Sequence, residues 1–183
     1  MTFEPLRGIH IHDLPTDVVG PAATWRLGQY GAEIIKVEPP PGDLMRGLGG
    51  LSPTGQQASA YLHPNRGKTN ICLTLKAPGA AAVMRRLIGQ VDVIVATMRP
   101  PALVRLGPDP DPICAGYPDK IYCLLADCGP DRPCGGFPTY DSVVQGATGL
   151  PGLVQARDNV PKFVPLLILD EPTADIAGTA VDL

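Results

Sequence analysis

Gly31-Ala32-Glu33-Ile34-Ile35-Lys36-Val37-Glu38-Pro39, preceded by Gly8-Ile9-His10-Ile11-His12-Asp13-Leu14 with Gly20-Pro21 between them, decides the fold of this chain. Both stretches are short β-branched runs that end in acids. The segment from Pro21 to Tyr30 carries apolar Ala22, Trp25 and Leu27, and Pro21 is placed for the first turn of a helix. Strand, loop, helix and strand in that order make an α/β unit of the kind that binds nucleotides. In such a unit ligands lie beyond the carboxyl ends of the strands, so the loops after Leu14 and Glu38 are where a ligand is expected first.

The same alternation continues downstream. Pro39 to Asp43 reads as a turn leaving the sheet, and Gly47 to Gly55 as loop. A strand is predicted over Asn70 to Leu75. A helix follows over Ala80 to Ile88, with Ala81, Val83, Met84 and Leu87 apolar, Arg85 and Arg86 outward, and Gly89 as its stop. Val91 to Val95 reads as a buried strand, Ala102 to Leu106 as a short helix, and Lys120 to Leu125 as the next strand. Glycine and proline dominate Ala126 to Thr139. Ser142 to Gly149 reads as a helix, Leu150 to Lys162 as a loop or hairpin, and Phe163 to Leu169 as a last strand leading into a helix begun near Asp170. The fold expected is α/β, a Rossmann-like parallel sheet with crossover helices, with Asp13, Glu38 and Asp170 near strand ends.

Composition excludes several classes. With 183 residues, 44% of them hydrophobic and 18% charged, the chain suits one globular α/β domain. Its net charge of -3 gives no reason to expect nucleic acid. The opening MTFEPLRG lacks an apolar signal core, and no run approaches the roughly 18 apolar residues of a membrane span, so a cytoplasmic protein without a membrane partner is expected. Five cysteines form no C-x-x-C pair, which argues against a disulfide framework and a zinc site. His10 and His12 fall on one face of a strand, but no third ligand accompanies them, and no metal is expected.

Asp170 follows the apolar run Val164 to Leu169. A carboxylate there, at a strand end and helix start, faces unpaired backbone N–H groups that favour its ionised form. The simplest role for it is a helix cap, which does not preclude chemistry.

The run GIHIHDLPTDVVGPAATWRLGQYGAEIIKVEPPPGDLMRGLG resembles the N-terminal signature of the class III CoA-transferases, a group that also includes an α-methylacyl-CoA racemase. The resemblance continues in order through LHPNRGKTNICLTLKAPGA, VDVIVATMRPPALVRLG, YPDKIYCLLADCGPDRPCGGFPTYDSVVQGATGL and PKFVPLLILD. It implies transfer of CoA between an acyl-CoA and a carboxylic acid, with coenzyme A entering as the acyl-CoA substrate and Asp170 as the nucleophile. The spacing from Asp141 to Asp170 matches the family without a gap. Asp175, in Thr-Ala-Asp-Ile-Ala-Gly, is the rival and needs a loop five residues longer.

For CoA, the resemblance implies contacts from Arg105, with Arg46 and Lys68 in segments that line the same pocket. Thr97 and Met98 stand where the family carries Asn-Phe, and Ala96 where it has Glu. Tyr140 occupies the place of a histidine base in the racemase branch. A phenol with a pKa near ~10 is a poor base at neutral pH, so a transferase is favoured over an acyl-CoA racemase. Family members commonly run to about twice this length, with a second domain and a returning C-terminal segment. Residues 1–183 therefore read as the N-terminal part of the large domain. A homodimer or an association with a complementary C-terminal half is expected, and a non-catalytic CoA-binding or degenerate fragment is the alternative. LILDEPTAD, with Gly67-Lys68-Thr69, also resembles parts of a nucleotide hydrolase, but Leu62 stands where a phosphate loop needs its first glycine.

Overall fold

The computed structural model describes residues 3–14, 16–50, 52–53, 55, 57–125 and 140–165. Five strands, β1 (His10–Asp13), β2 (Glu33–Glu38), β3 (Thr69–Cys72), β4 (Val93–Ala96) and β5 (Ile121–Leu124), form one sheet in the order β3-β2-β1-β4-β5, with every pairing parallel. The helices between them are α1 (Val19–Gln29), α2 (Ser59–Asn65), α3 (Ala80–Ile88), α4 (Pro100–Leu106) and α5 (Pro110–Gly116), followed by α6 (Asp141–Ala147) and α7 (Leu150–Asp158). The expected parallel α/β architecture is thus the one observed, and none of these helices is long and apolar enough to cross a membrane.

Residue alternation sorts the core into two layers. Ile11, Ile34, Val93 and Val95 face one way and pack with Leu27 of α1. Leu14, Val37, Ile94 and Ala96 face the other way, against Met84 and Ile88 of α3, Leu103 of α4 and Ile113 of α5. Strands covered on both faces need apolar side chains at every position, which is why β4 reads Val-Ile-Val-Ala and is buried throughout. β3 lies at the sheet edge and is mostly exposed, so its ladder stops at Cys72 although the apolar alternation runs on to Leu75.

Several boundaries and assignments differ from expectation. α4 begins at Pro100 rather than Ala102, because two prolines can occupy a first turn whose N–H groups have no intrahelical acceptor anyway. Val91 is buried but precedes β4, which starts at Val93. The segment Leu150 to Lys162, expected as a loop or hairpin, instead forms α7 over Leu150–Asp158. Gly149 adopts φ 77° as its N-cap and Pro151 sits in the first turn, so residues that read as breakers are start signals. The strand expected at Phe163 to Leu169 lies largely outside the described residues, as do Asp170 and Asp175.

Candidate active site

The strand order reverses between β1 and β4, and this is the switch point at which an open α/β sheet leaves a crevice beyond its strand ends. Asp13 closes β1 and Glu38 closes β2, as the sequence predicts. On the α1 face these strands begin apolar, at Ile11 and Ile34, and end in charge, at Asp13, Lys36 and Glu38. Asp13 and Lys36 are in register as neighbours. Both are fully buried, so each needs partners to offset the loss of water.

Those partners come from α1, the loop between α2 and β3, and the turn after β2. Asp13 Oδ2 accepts from Lys68 Nζ at 2.6 Å and from Thr24 Oγ1 at 3.0 Å. Lys36 Nζ lies 3.0 Å from Asp43 Oδ2 and 4.0 Å from Asp13 Oδ2. Asp43 Oδ1 in turn accepts from the N–H groups of Met45 and Asp17, which caps the 3-10 turn Leu44–Gly47 and ties the loop after β1 to the loop after β2.

Glu38 is the second centre. Its carboxylate accepts from Arg46 Nε at 2.8 Å and Nη2 at 3.1 Å, from the Tyr61 hydroxyl at 2.6 Å and from Asn70 Nδ2 at 2.8 Å. The Arg46 guanidinium also stacks 3.9 Å from the centre of the Tyr61 ring. Desolvation pushes the Glu38 carboxyl up, but the hydrogen bonds from Arg46 and Tyr61 and the charges of Arg46 and Lys36 outweigh it and hold the group below its usual range. Burial, and then the bond to Glu38, raises the Tyr61 phenol. Gly42 makes room for this cluster: it has φ +82°, and a Cβ there would come within 2.7 Å of Arg46 Cδ.

The residues expected from the sequence fall into separate groups. Lys68, expected in a segment lining the CoA pocket, is turned inward. Its side chain is 2% exposed, and its ammonium faces Asp13, Thr24, the Pro21 carbonyl and Asn65 within 3.2 Å, which occupies all three protons. Burial lowers its pKa to about 8, against the pull of Asp13. Lys68 also leads into strand β3 rather than a helix, so Gly67-Lys68-Thr69 lacks the strand-loop-helix setting of a phosphate loop. Arg46 is partly exposed beyond its bonds to Glu38. Thr97 and Met98 follow β4 at the switch point and are half-buried, Met98 packing against the core. Arg105 is exposed in the last turn of α4. Tyr140 caps α6 and is 59% exposed.

Sequence reading missed Lys36, Asp43, Tyr61 and Asn70 as partners. The available signal was Lys36, a cation inside Ile-Ile-Lys-Val, where an apolar strand has no use for a charge unless acids meet it.

Comparison with known proteins agrees with this fold. The family model described as CoA-transferase family III matches residues 6–182. The chain is 31% identical over 179 residues to a probable fatty acyl-CoA transferase, Rv3272, of Mycobacterium tuberculosis, covering 97% of this chain and 45% of that protein. It is 34% identical over 183 residues to a succinate–glutarate CoA-transferase of Agrobacterium fabrum, covering 97% of this chain and 46% of that one. A crystal structure of a CAIB/BAIF family protein from Brucella suis superposes with a TM-score of 0.89 at 28% identity, over 97% of this chain and 48% of the other. The chain thus spans about half the length of these relatives, and it belongs to CoA-transferase family III.

Proposed function

We propose that this chain supplies the CoA-binding and nucleophile-bearing part of a family III CoA-transferase, the N-terminal part of its large domain. The observation that carries the reading is the reversal of strand order at β1 and β4, which gathers the loop after Leu14, the start of α1 and the Thr97–Met98 segment around one crevice. The N-terminus of α1 offers N–H groups to an anion there. Arg105, exposed in the last turn of α4, supplies a cation for a polyanionic ligand. Arg46 and Lys68 act from behind, holding the loops after β1 and β2 in place.

The chemistry falls to Asp170. Its carboxylate attacks the thioester carbonyl of the acyl-CoA, forming an acyl-aspartyl anhydride and releasing CoA thiolate. The thiolate attacks the aspartyl carbonyl, releasing the first carboxylate and leaving an aspartyl-CoA thioester. An acceptor carboxylate then attacks that thioester carbonyl, forming a second anhydride and expelling CoA thiolate, which attacks the acceptor-side carbonyl to give the new acyl-CoA and release the Asp170 carboxylate. Acyl-CoA and carboxylates are the substrates. Binding of CoA without turnover is the second reading.

Calorimetry with CoA tests the crevice. The parent chain is expected to bind, with affinity falling as salt rises. Arg105→Ala should weaken binding by about tenfold, the worth of one charge-assisted contact. An unchanged affinity removes Arg105 from the site, and absence of binding by the parent chain overturns the proposal.

A further inference from the structure

Gln145 is 1% exposed, and it lies one helical turn after Asp141, itself 3% exposed, on the same side of α6. Its Nε2 donates to Asp141 Oδ2 at 2.5 Å and to the Val164 carbonyl at 3.1 Å. Its Oε1 accepts from the Val164 N–H at 2.9 Å. A carboxylate accepts only, so Asp141 dictates which end of the amide is nitrogen, and the oxygen must then meet the Val164 N–H. One side chain thereby satisfies both backbone groups of Val164, as a neighbouring strand would. Val164 stands six residues before Asp170.

We infer that Gln145 is a positioning residue, which fixes the chain at Val164 and so sets where the segment leading to Asp170 begins. This rests on Asp170 being the nucleophile. Catalysis by a carboxylate is sensitive to placement, because a displacement of about 1 Å can cost on the order of a hundredfold in rate. α6 gives the clamp a firm base: Asp141 anchors Gln145, and the Thr148 hydroxyl donates to the Gln145 carbonyl at 3.1 Å.

The test uses the full chain with Gln145→Leu and Gln145→Glu. Gln145→Leu removes both bonds at every pH. Gln145→Glu sets two carboxylates against each other at pH 7.5; once protonated it has one donor for Asp141 and an acceptor for the Val164 N–H, lacking only the amide's second donor to the Val164 carbonyl. Amide exchange at Val164, corrected for intrinsic rate, is expected to rise at least about tenfold in both variants at pH 7.5, while β1 and β4 keep their protection. At pH 5.5 the glutamate variant should recover and the leucine variant should not, a signature that general loss of packing does not produce. Adduct formation at Asp170, measured with the C-terminal half of a family-length relative present, should follow the same pattern, with CoA affinity unchanged. Unaltered exchange at Val164, or equal behaviour of the two variants at pH 5.5, overturns the clamp. Clamp-dependent exchange without any adduct at Asp170 instead removes Asp170 as nucleophile and the positioning role with it.

Discussion

Replacing Lys36 with methionine is expected to destabilise the fold by roughly 3–5 kcal/mol, the cost of breaking a buried ion pair by removing one partner. Methionine matches the lysine stem in length and apolar character, so packing changes little. What changes is the charge balance among Asp13, Asp43 and Lys68, all buried at the ends of β1 and β2. Asp13 keeps Lys68 at 2.6 Å, whereas Asp43 loses the cation 3.0 Å away. The penalty therefore falls mainly on Asp43. Adding Asp43→Asn should recover about 1–2 kcal/mol, because the double variant no longer leaves that carboxylate uncompensated. Urea unfolding of the parent, both single variants and the double variant measures this. A single-variant loss below about 1 kcal/mol would show that Lys36 stabilises little in this network.

His12 gives the second large effect, and it is a matter of pH. The imidazole sits in the middle of β1, in register with Ile35 of β2 and Ile94 of β4, and is fully buried. Neither ring nitrogen has a hydrogen-bond partner among the described residues. Burial, followed by the charge of Lys120, lowers its pKa from 6.5 to about 4. Between those values the unfolded chain binds a proton that the folded chain does not, so stability is fully present above pH 6.5 and falls as pH drops towards 4. The loss across that window is on the order of 3 kcal/mol. His12→Leu, which keeps the position apolar, should flatten the profile there and leave the protein more stable at pH 5. Denaturation midpoints at pH 7.5, 6 and 5 check it. Parallel profiles for parent and variant would contradict the assignment.

Much of this architecture is legible because two-sided burial writes itself into the sequence. Val93–Ala96 is apolar throughout, and the helix Ala80–Ile88 is bounded as read, since Gly79 and Gly89 flank an amphipathic run. Prolines concealed other helices. α4, α5 and α7 each carry proline in the first turn, and α5 and α7 were missed because Pro110 and Pro151 look like interruptions. α2 was missed for a different reason: Tyr61 and Asn65 face polar partners, so the helix shows no apolar stripe.

The site was legible only in part. Acids at the ends of β1 and β2 can be read from runs that close on Asp13 and Glu38, but their pairing is tertiary. Lys68 lies 55 residues from Asp13, and no local pattern reveals that a cation beside a glycine folds inward rather than towards solvent. Arg46 and Glu38 are eight residues apart, and only the turn at Gly42 brings them together.

Trapping of the covalent intermediate tests the central claim most directly. The chain would be incubated with succinyl-CoA, alone and together with the C-terminal half of a family-length relative, then treated with hydroxylamine and mapped by mass spectrometry. A hydroxylamine-sensitive adduct is expected at Asp170 in the complemented sample, lost in Asp170→Ala. An adduct at Asp175, or none at Asp170 under conditions in which CoA is bound, would contradict it.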